Sequence, residues 1–230
     1  MTVLATVAVA LAAGWDNISV MKISGLPETV GEPSIWAAAA CMQTEVFMLV
    51  LPILCVIPFA DSFVEDYQTR FLREYLPKAG RRNYLISKAA VTALTGGLAL
   101  SVGQIIVLAV CTVIFPLTGI PVGEYTFTYL LYFWGLSFVF MAAMLWAMVG
   151  EIAGAAMKNR YMAYATPFII FYVWSSFQVR YFKSAYVFNP REWIKPEHIE
   201  TSMTLVYGAI AAAVAFVIYY FVMKRRLLDV

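Results

Sequence analysis

Charge is what this sequence has least of. Asp, Glu, Lys and Arg together make up 13% of its 230 residues, about half the share found in an ordinary soluble domain. A chain so poor in charge cannot clothe the surface of a soluble fold of this size, and that class is excluded. The net charge of +2 offers no footprint for a phosphate backbone, which excludes a nucleic-acid partner. Only one histidine is present, His198, set near Glu197 and Glu200. One imidazole among flanking acids reads as a solvated charge cluster, not a metal site. The three cysteines, Cys41, Cys55 and Cys111, form no CxxC and fall inside apolar runs. They read as packing residues and exclude a disulfide framework. There is no GxxxxGKS/T, so the chain does not bind ATP through a P-loop, and there is no GxSxG or HExxH. The chain therefore does not read as an enzyme, and no cofactor is expected on it. Internal repeats and low-complexity tracts are lacking too. Asn17-Ile18-Ser19 matches a glycosylation sequon, a pattern that chance supplies often.

What the sequence does have is apolar length. Hydrophobic residues make up 62% of the chain, with a mean hydropathy of +0.77. Lipid is the solvent that suits such a composition. Six hydrophobic segments stand out, at roughly 1–14, 36–60, 88–115, 127–150, 161–178 and 202–223. A spanning helix needs ~20 apolar residues, and five of the six approach or exceed that. The first is short and lacks the basic n-region of a signal peptide; it is expected to enter the bilayer as a slanted span. The expected fold is all-α: a polytopic membrane helix bundle of about six transmembrane helices, forming one domain over residues 1–230.

The connecting segments assign sides. Arg70, Arg73, Lys78, Arg81, Arg82 and Lys88 lie between the second and third segments. Lys158 and Arg160 follow the fourth, and Lys224, Arg225 and Arg226 follow the sixth. Lys22, Arg180, Lys183, Arg191 and Lys195 fall on the other side. The excess of basic residues on one side places both termini in the cytoplasm. On the outer side, Pro116, Gly119, Pro121 and Gly123 predict a tight hairpin. The 179–201 stretch carries Tyr181, Phe182, Tyr186, Phe188 and Trp193. Rings at that density predict one or two short interfacial or re-entrant helices.

Segment 61–88 carries the most information. Ser62-x-x-Glu65 has the form of a capping box. Phe63, Tyr67, Phe71 and Tyr75 recur every fourth residue as one aromatic face, and Asp66–Arg70 and Arg70–Glu74 are opposite charges at i,i+4. Pro77 and Gly80 then stop the helix, and Lys78, Arg81 and Arg82 form a basic turn before the third span. An aromatic face on a cytoplasmic helix needs a partner: anionic lipid or a groove on a soluble protein.

An acidic helix after the second span, then Leu72 and Tyr75-Leu76-Pro77, then Arg81 or Arg82, Tyr84 and a Lys88 opening the third span, resembles the permease subunits of type-2 ABC exporters. The match in residues covers 61–88, with Glu65 or Asp66 as the helix acid. Tyr67 and Gln68 stand where that family often carries a Gly. The resemblance implies that this segment is the coupling helix, with Ser62, Phe63, Glu65, Asp66, Tyr67, Arg70, Phe71, Tyr75, Pro77, Arg81 and Arg82 at the contact with a cytoplasmic ATP-binding cassette subunit. It also implies a second permease copy or homologue as partner, ATP and Mg on the ATPase chain, and efflux across a plasma (inner) membrane. A hydrophobic or amphipathic substrate (peptide, lipid or drug) suits the apolar spans. An ion-coupled secondary transporter or a non-transporting membrane anchor or immunity protein are the alternatives.

Three polar residues fall within the apolar segments or at their ends. Glu45, in the second segment, is either a translocation-path residue or marks a span that begins later, near the outer interface. Gln104, with Gly96, Gly97 and Gly103, points to close helix packing, or to the translocation path. Glu151, beside Gly150 and Gly154, ends the fourth segment as an ATPase contact or a solvated acid. Pro52, Pro58 and Pro167 predict kinks.

Overall fold

The structure, a computed structural model, describes residues 1–24, 33–69, 71–117, 126–182, 186–196, 198 and 200–228. Within them every regular element is helical. The elements are α1 (Thr2–Ser24), α2 (Pro33–Met42), α3 (Glu45–Leu54), α4 (Ser62–Gln68), α5 (Phe71–Ala79), α6 (Arg81–Leu117), α7 (Thr126–Met157), α8 (Arg160–Tyr181), a 3₁₀ turn (Tyr186–Phe188) and α9 (Thr201–Leu228). The all-α expectation holds. The predicted hairpin at 116–123 falls largely outside the described residues.

The number of spans differs from the expected six. Among the described residues, three helices are long and apolar enough to cross a bilayer: Arg81–Ile114, Tyr132–Met157 and Ser202–Leu227. A run of 26 residues rises about 39 Å, enough for a hydrocarbon layer of roughly 30 Å. A fourth is counted only if the bent pair Ser34–Met42 and Glu45–Leu54, which meet at 64°, forms one span. The second hydrophobic segment is therefore not one straight helix. It breaks at Gln43–Thr44, where the Thr44 hydroxyl accepts from the Phe47 amide at 3.3 Å and starts a new helix. The break precedes Pro52, which lies inside α3; the helix ends two residues beyond it. α8 has 22 residues, but Tyr161, Tyr164, Tyr172, Trp174, Ser175, Ser176 and Gln178 dilute its apolar character, and it is not among the three. Pro167 is accommodated within it. The apolar part of α1 among the described side chains is Thr2–Asp16, shorter than a full crossing.

The long helix α7 is the axis of the bundle, packed against α6, α8 and α9 and touched by α2, α3 and α4. Small residues allow these approaches. A methyl group on Gly96 of α6 would sit 2.7 Å from Ala147 Cβ of α7 and 2.8 Å from the Cys55 carbonyl oxygen. The glycines expected to permit close packing do so. The helices enclose two apolar clusters. One joins α1–α3 to α6, α7 and α8, with Phe47, Leu51, Leu100 and Phe171 fully enclosed. The other lies where α4 and α5 meet α6, α7 and α9, and holds Phe63, Leu72, Tyr84, Tyr219 and Met223. Cys41, Cys55 and Cys111 are free and buried, as packing residues are.

The basic segments do gather at one end. Lys158 Nζ donates to the Tyr67 hydroxyl at 2.9 Å, Arg160 lies 3.7 Å from Glu65, and the Arg226 guanidinium donates to the Ala156 carbonyl. At the opposite end the 186–196 stretch folds back on α8. Trp174 Nε1 donates to the Phe188 carbonyl at 2.5 Å, and Trp193 Nε1 to that of Val187 at 2.8 Å. The interfacial helices expected in 179–201 reduce, among the described residues, to the single 3₁₀ turn. Asn189, Pro190 and Pro196 favour turns over a longer helix.

Candidate functional site

Two polar regions stand out, one at each end of the bundle. At the basic end, the expected single amphipathic helix is two. α4 ends at Gln68 and is capped by Thr69, whose hydroxyl donates to the Glu65 carbonyl at 2.9 Å, and α5 starts at Phe71. Arg70 lies outside the described residues, and with it both of its proposed i,i+4 pairs. The capping box does not form. Asp61 occupies the cap position without a capping hydrogen bond, and Ser62 is the first helical residue with its hydroxyl enclosed and unpartnered. Pro77 is inside α5, not beyond it. The chain turns instead at Gly80, whose φ of +78° is the left-handed conformation that favours glycine.

The break divides the aromatic stripe. Phe63 is buried against α7 and α9, while Phe71 and Tyr75 are exposed and stack with ring centroids 5.1 Å apart. Tyr67, between them, stacks on Phe63 at 6.4 Å. α5 is amphipathic on its own: Leu72 and Leu76 face the bundle, and Glu74 and Lys78 face out. Tertiary packing overrides the four-residue spacing here, because Val64 must lie against Gly154, where an added Cβ would be 3.3 Å away.

The two cytoplasm-predicted helices are fastened to α6 by a group of three side chains. Lys88 Nζ donates to the Asp66 carboxylate at 2.6 Å, and the Tyr84 hydroxyl donates to the same oxygen at 2.7 Å. The Lys88 side chain is 9% exposed and that of Asp66 23%. The ammonium also lies over the Phe59 ring, 4.9 Å from its centroid. Phe59, Phe71, Tyr75, Tyr84 and Lys88 line a cleft of about 300 Å³ between α5 and α6. Arg81 and Arg82 are exposed beside it. Of the residues proposed for the coupling surface, Glu65, Phe71, Tyr75, Pro77, Arg81 and Arg82 are exposed, Tyr67 and Asp66 are half-buried, and Phe63 is core. The Asp66–Lys88 pair spans 22 residues of sequence, too far apart for a periodicity argument to find it.

At the opposite end a cleft of about 450 Å³ lies between the α2–α3 break and the 186–198 stretch. Glu45 stands at its mouth, exposed, 3.7 Å from Arg191. It is the first residue of α3, at the bend of the α2–α3 pair. Farther in, the His198 ring lies 2.7 Å from the Glu192 carboxylate and stacks on Tyr186 at 4.2 Å. Gln104 is away from both ends. It is fully buried in α6, its amide makes no hydrogen bond, and its backbone carbonyl accepts from the Tyr132 hydroxyl at 2.8 Å. Glu45 and Gln104 are thus not brought together. Glu151 is neither solvated nor at the surface: its side chain is fully enclosed. No group of three or more His, Cys, Asp or Glu able to hold a metal ion occurs among the described residues.

No family model and no curated protein sequence matches the chain.

Proposed function

We propose that this chain is the membrane-spanning permease subunit of an ATP-binding cassette exporter, resident in a plasma (inner) membrane with both termini in the cytoplasm. The observation that carries the reading is the α4–α5 pair. Its inner face is locked to the spans by Phe63, Leu72 and the Asp66–Lys88–Tyr84 group, and its outer face offers Phe71, Tyr75 and Glu65. An element pinned on one side and open on the other suits the transfer of motion, because packed elements move as units. The stacked Phe71–Tyr75 pair, rimmed by Glu74, Lys78, Arg81 and Arg82, suits a groove on a soluble protein. That protein would be an ATPase subunit carrying the ATP and Mg this chain has no motif for. Two ATPase copies and a second permease, identical or homologous, would complete the assembly. The substrate class is hydrophobic or amphipathic, in keeping with apolar spans that end in a cleft of mixed charge around Glu45 and Arg191.

The test is co-purification from native membranes. A tagged chain should bring down a P-loop ATPase. Glu65→Lys or Phe71→Ala should weaken that association while leaving the chain folded. If the chain purifies alone and transports without ATP, the reading fails.

A second reading, an ion-coupled secondary transporter, draws on the enclosed Glu151 in α7, since an acid inside a span is a default site for a coupling ion. Transport that follows an imposed ion gradient with no nucleotide present would favour it.

A further inference from the structure

Near the basic end of the spans, three helices turn oxygen atoms toward one point and leave them unsatisfied. Glu151 of α7 has both carboxyl oxygens enclosed without a hydrogen-bond partner, and so have the Thr92 hydroxyl of α6 and the Tyr219 hydroxyl of α9. The three residues are at most 1% exposed. The Thr92 and Tyr219 hydroxyls face the carboxyl but lack hydrogen-bond geometry to it. Each enclosed polar group left in this condition destabilises a fold by about 1–3 kcal/mol, and more within hydrocarbon. Four such oxygens at one place are not a packing accident of the kind a lone buried serine represents.

Charge balance identifies what is missing. The charged and titratable groups facing Glu151 are Lys88 and Tyr84 on α6, Asp66 on α4 and Tyr219 on α9. Lys88 is already held by Asp66 at 2.6 Å, so those two charges cancel. Arg226 is turned to the Ala156 carbonyl instead. When ionised, Glu151 carries one negative charge that this cancelled pair leaves without a counter-charge of its own. An all-oxygen donor set suits a hard cation or a proton. One carboxylate with two neutral hydroxyls matches a single positive charge and is too poor in negative charge for a divalent ion.

We propose that Glu151, Thr92 and Tyr219 form a binding site for one monovalent positive charge, supplied as a proton or as Na⁺, and that its occupancy holds α6, α7 and α9 together beside the Asp66–Lys88 pair. This stands whether the chain is driven by an ATPase or by an ion gradient. A ligand that binds the folded bundle alone stabilises it by mass action. The site also borders the group that fastens α4 and α5, so filling it and moving those helices are coupled through shared neighbours.

The experiment is thermal unfolding of the purified full-length chain in lipid nanodiscs, needing neither partner nor substrate. In one arm NaCl replaces choline chloride at fixed pH; in the other, pH is lowered in choline chloride alone. The wild-type melting temperature rises with Na⁺ in the first arm if the ion is sodium, and with falling pH in the second if it is a proton. Glu151→Gln, which keeps the shape and removes the charge, loses the response in that arm. Should that variant fail to fold, Tyr219→Phe and Thr92→Ala each remove one oxygen, and the concentration giving half the response shifts upward by about tenfold, the loss of ~1.4 kcal/mol. A wild type that responds in neither arm overturns the proposal. So does a response that survives undiminished in Glu151→Gln, or in both hydroxyl variants.

Discussion

Replacing Asp66 with Ala probes how firmly α4 and α5 are tied to the spans. The substitution strands the Lys88 ammonium, 9% exposed, against the Phe59 and Tyr84 rings. Breaking a fully buried ion pair costs about 3–5 kcal/mol, and an exposed pair about 0–1 kcal/mol. Asp66 is 23% exposed, which puts this pair between those limits, at roughly 2 kcal/mol including the lost Tyr84 hydrogen bond. For a chain of this size, 1 kcal/mol moves the melting temperature by about 2–4 °C, so Asp66→Ala should lower it by roughly 4–8 °C in nanodiscs. Lys88→Met should cost less, because Asp66 keeps the Tyr84 hydroxyl and some water. The double variant leaves no stranded charge and should be more stable than the two losses added together, with a coupling of at least ~1 kcal/mol. Simple additivity, or a change in Asp66→Ala too small to measure, would refute the claim that this pair fastens the helices.

Other substitutions separate core from surface. Phe63→Ala, which empties a position 2% exposed, should destabilise by about 3–5 kcal/mol. Phe71→Ala, at 47% exposure, should change the same unfolding curve by less than ~0.5 kcal/mol. Gln104→Leu should hold or raise stability, because it removes an enclosed amide that makes no hydrogen bond; a loss of more than ~2 kcal/mol would reveal a partner for that amide. Gly96→Ala should destabilise measurably, since its Cβ would press on Ala147 and the Cys55 carbonyl, and a neutral result would mean that α6 and α7 are farther apart than described. Glu45→Gln should leave stability within ~1 kcal/mol, as its pair with Arg191 is open to solvent. If transport also stays unchanged, Glu45 is no part of the translocation path.

The elements that were legible in the sequence are those whose signal is local. Long apolar runs and small residues marked α6, α7 and α9 and their close packing, because hydropathy and side-chain volume act residue by residue. The gathering of Lys158, Arg160 and Arg226 with the 61–88 segment was legible too, since charge bias follows from alternation of sides. What local patterns missed were features set by tertiary contact. The run 36–60 is apolar overall, yet Thr44, in the polar triplet Gln43-Thr44-Glu45, caps a new helix within it. The Phe63–Tyr75 spacing describes one helix face, yet docking of Val64 on Gly154 and of Asp66 on Lys88 turns α4 inward. Glu151 lies only six residues before the end of α7, where sequence alone allows solvent; only the arrival of α6 and α9 encloses it. The tight cleft at the other end joins Glu45 to Arg191 and Glu192 to His198, pairings that no spacing rule anticipates for the first.

The most direct test of a chain driven from its α4–α5 face is site-specific cross-linking in native membranes. A photoreactive amino acid placed at Phe71, outside the fastened core, should form an adduct with a P-loop ATPase identified by mass spectrometry, and the yield should change when ATP is trapped on that subunit. The same probe placed at Ile218 of α9, exposed on the face of an apolar span, should capture lipid or a second permease and no ATPase. If the Phe71 probe yields lipid adducts alone, with or without nucleotide, α4–α5 is a surface-lying pair and the permease account is contradicted.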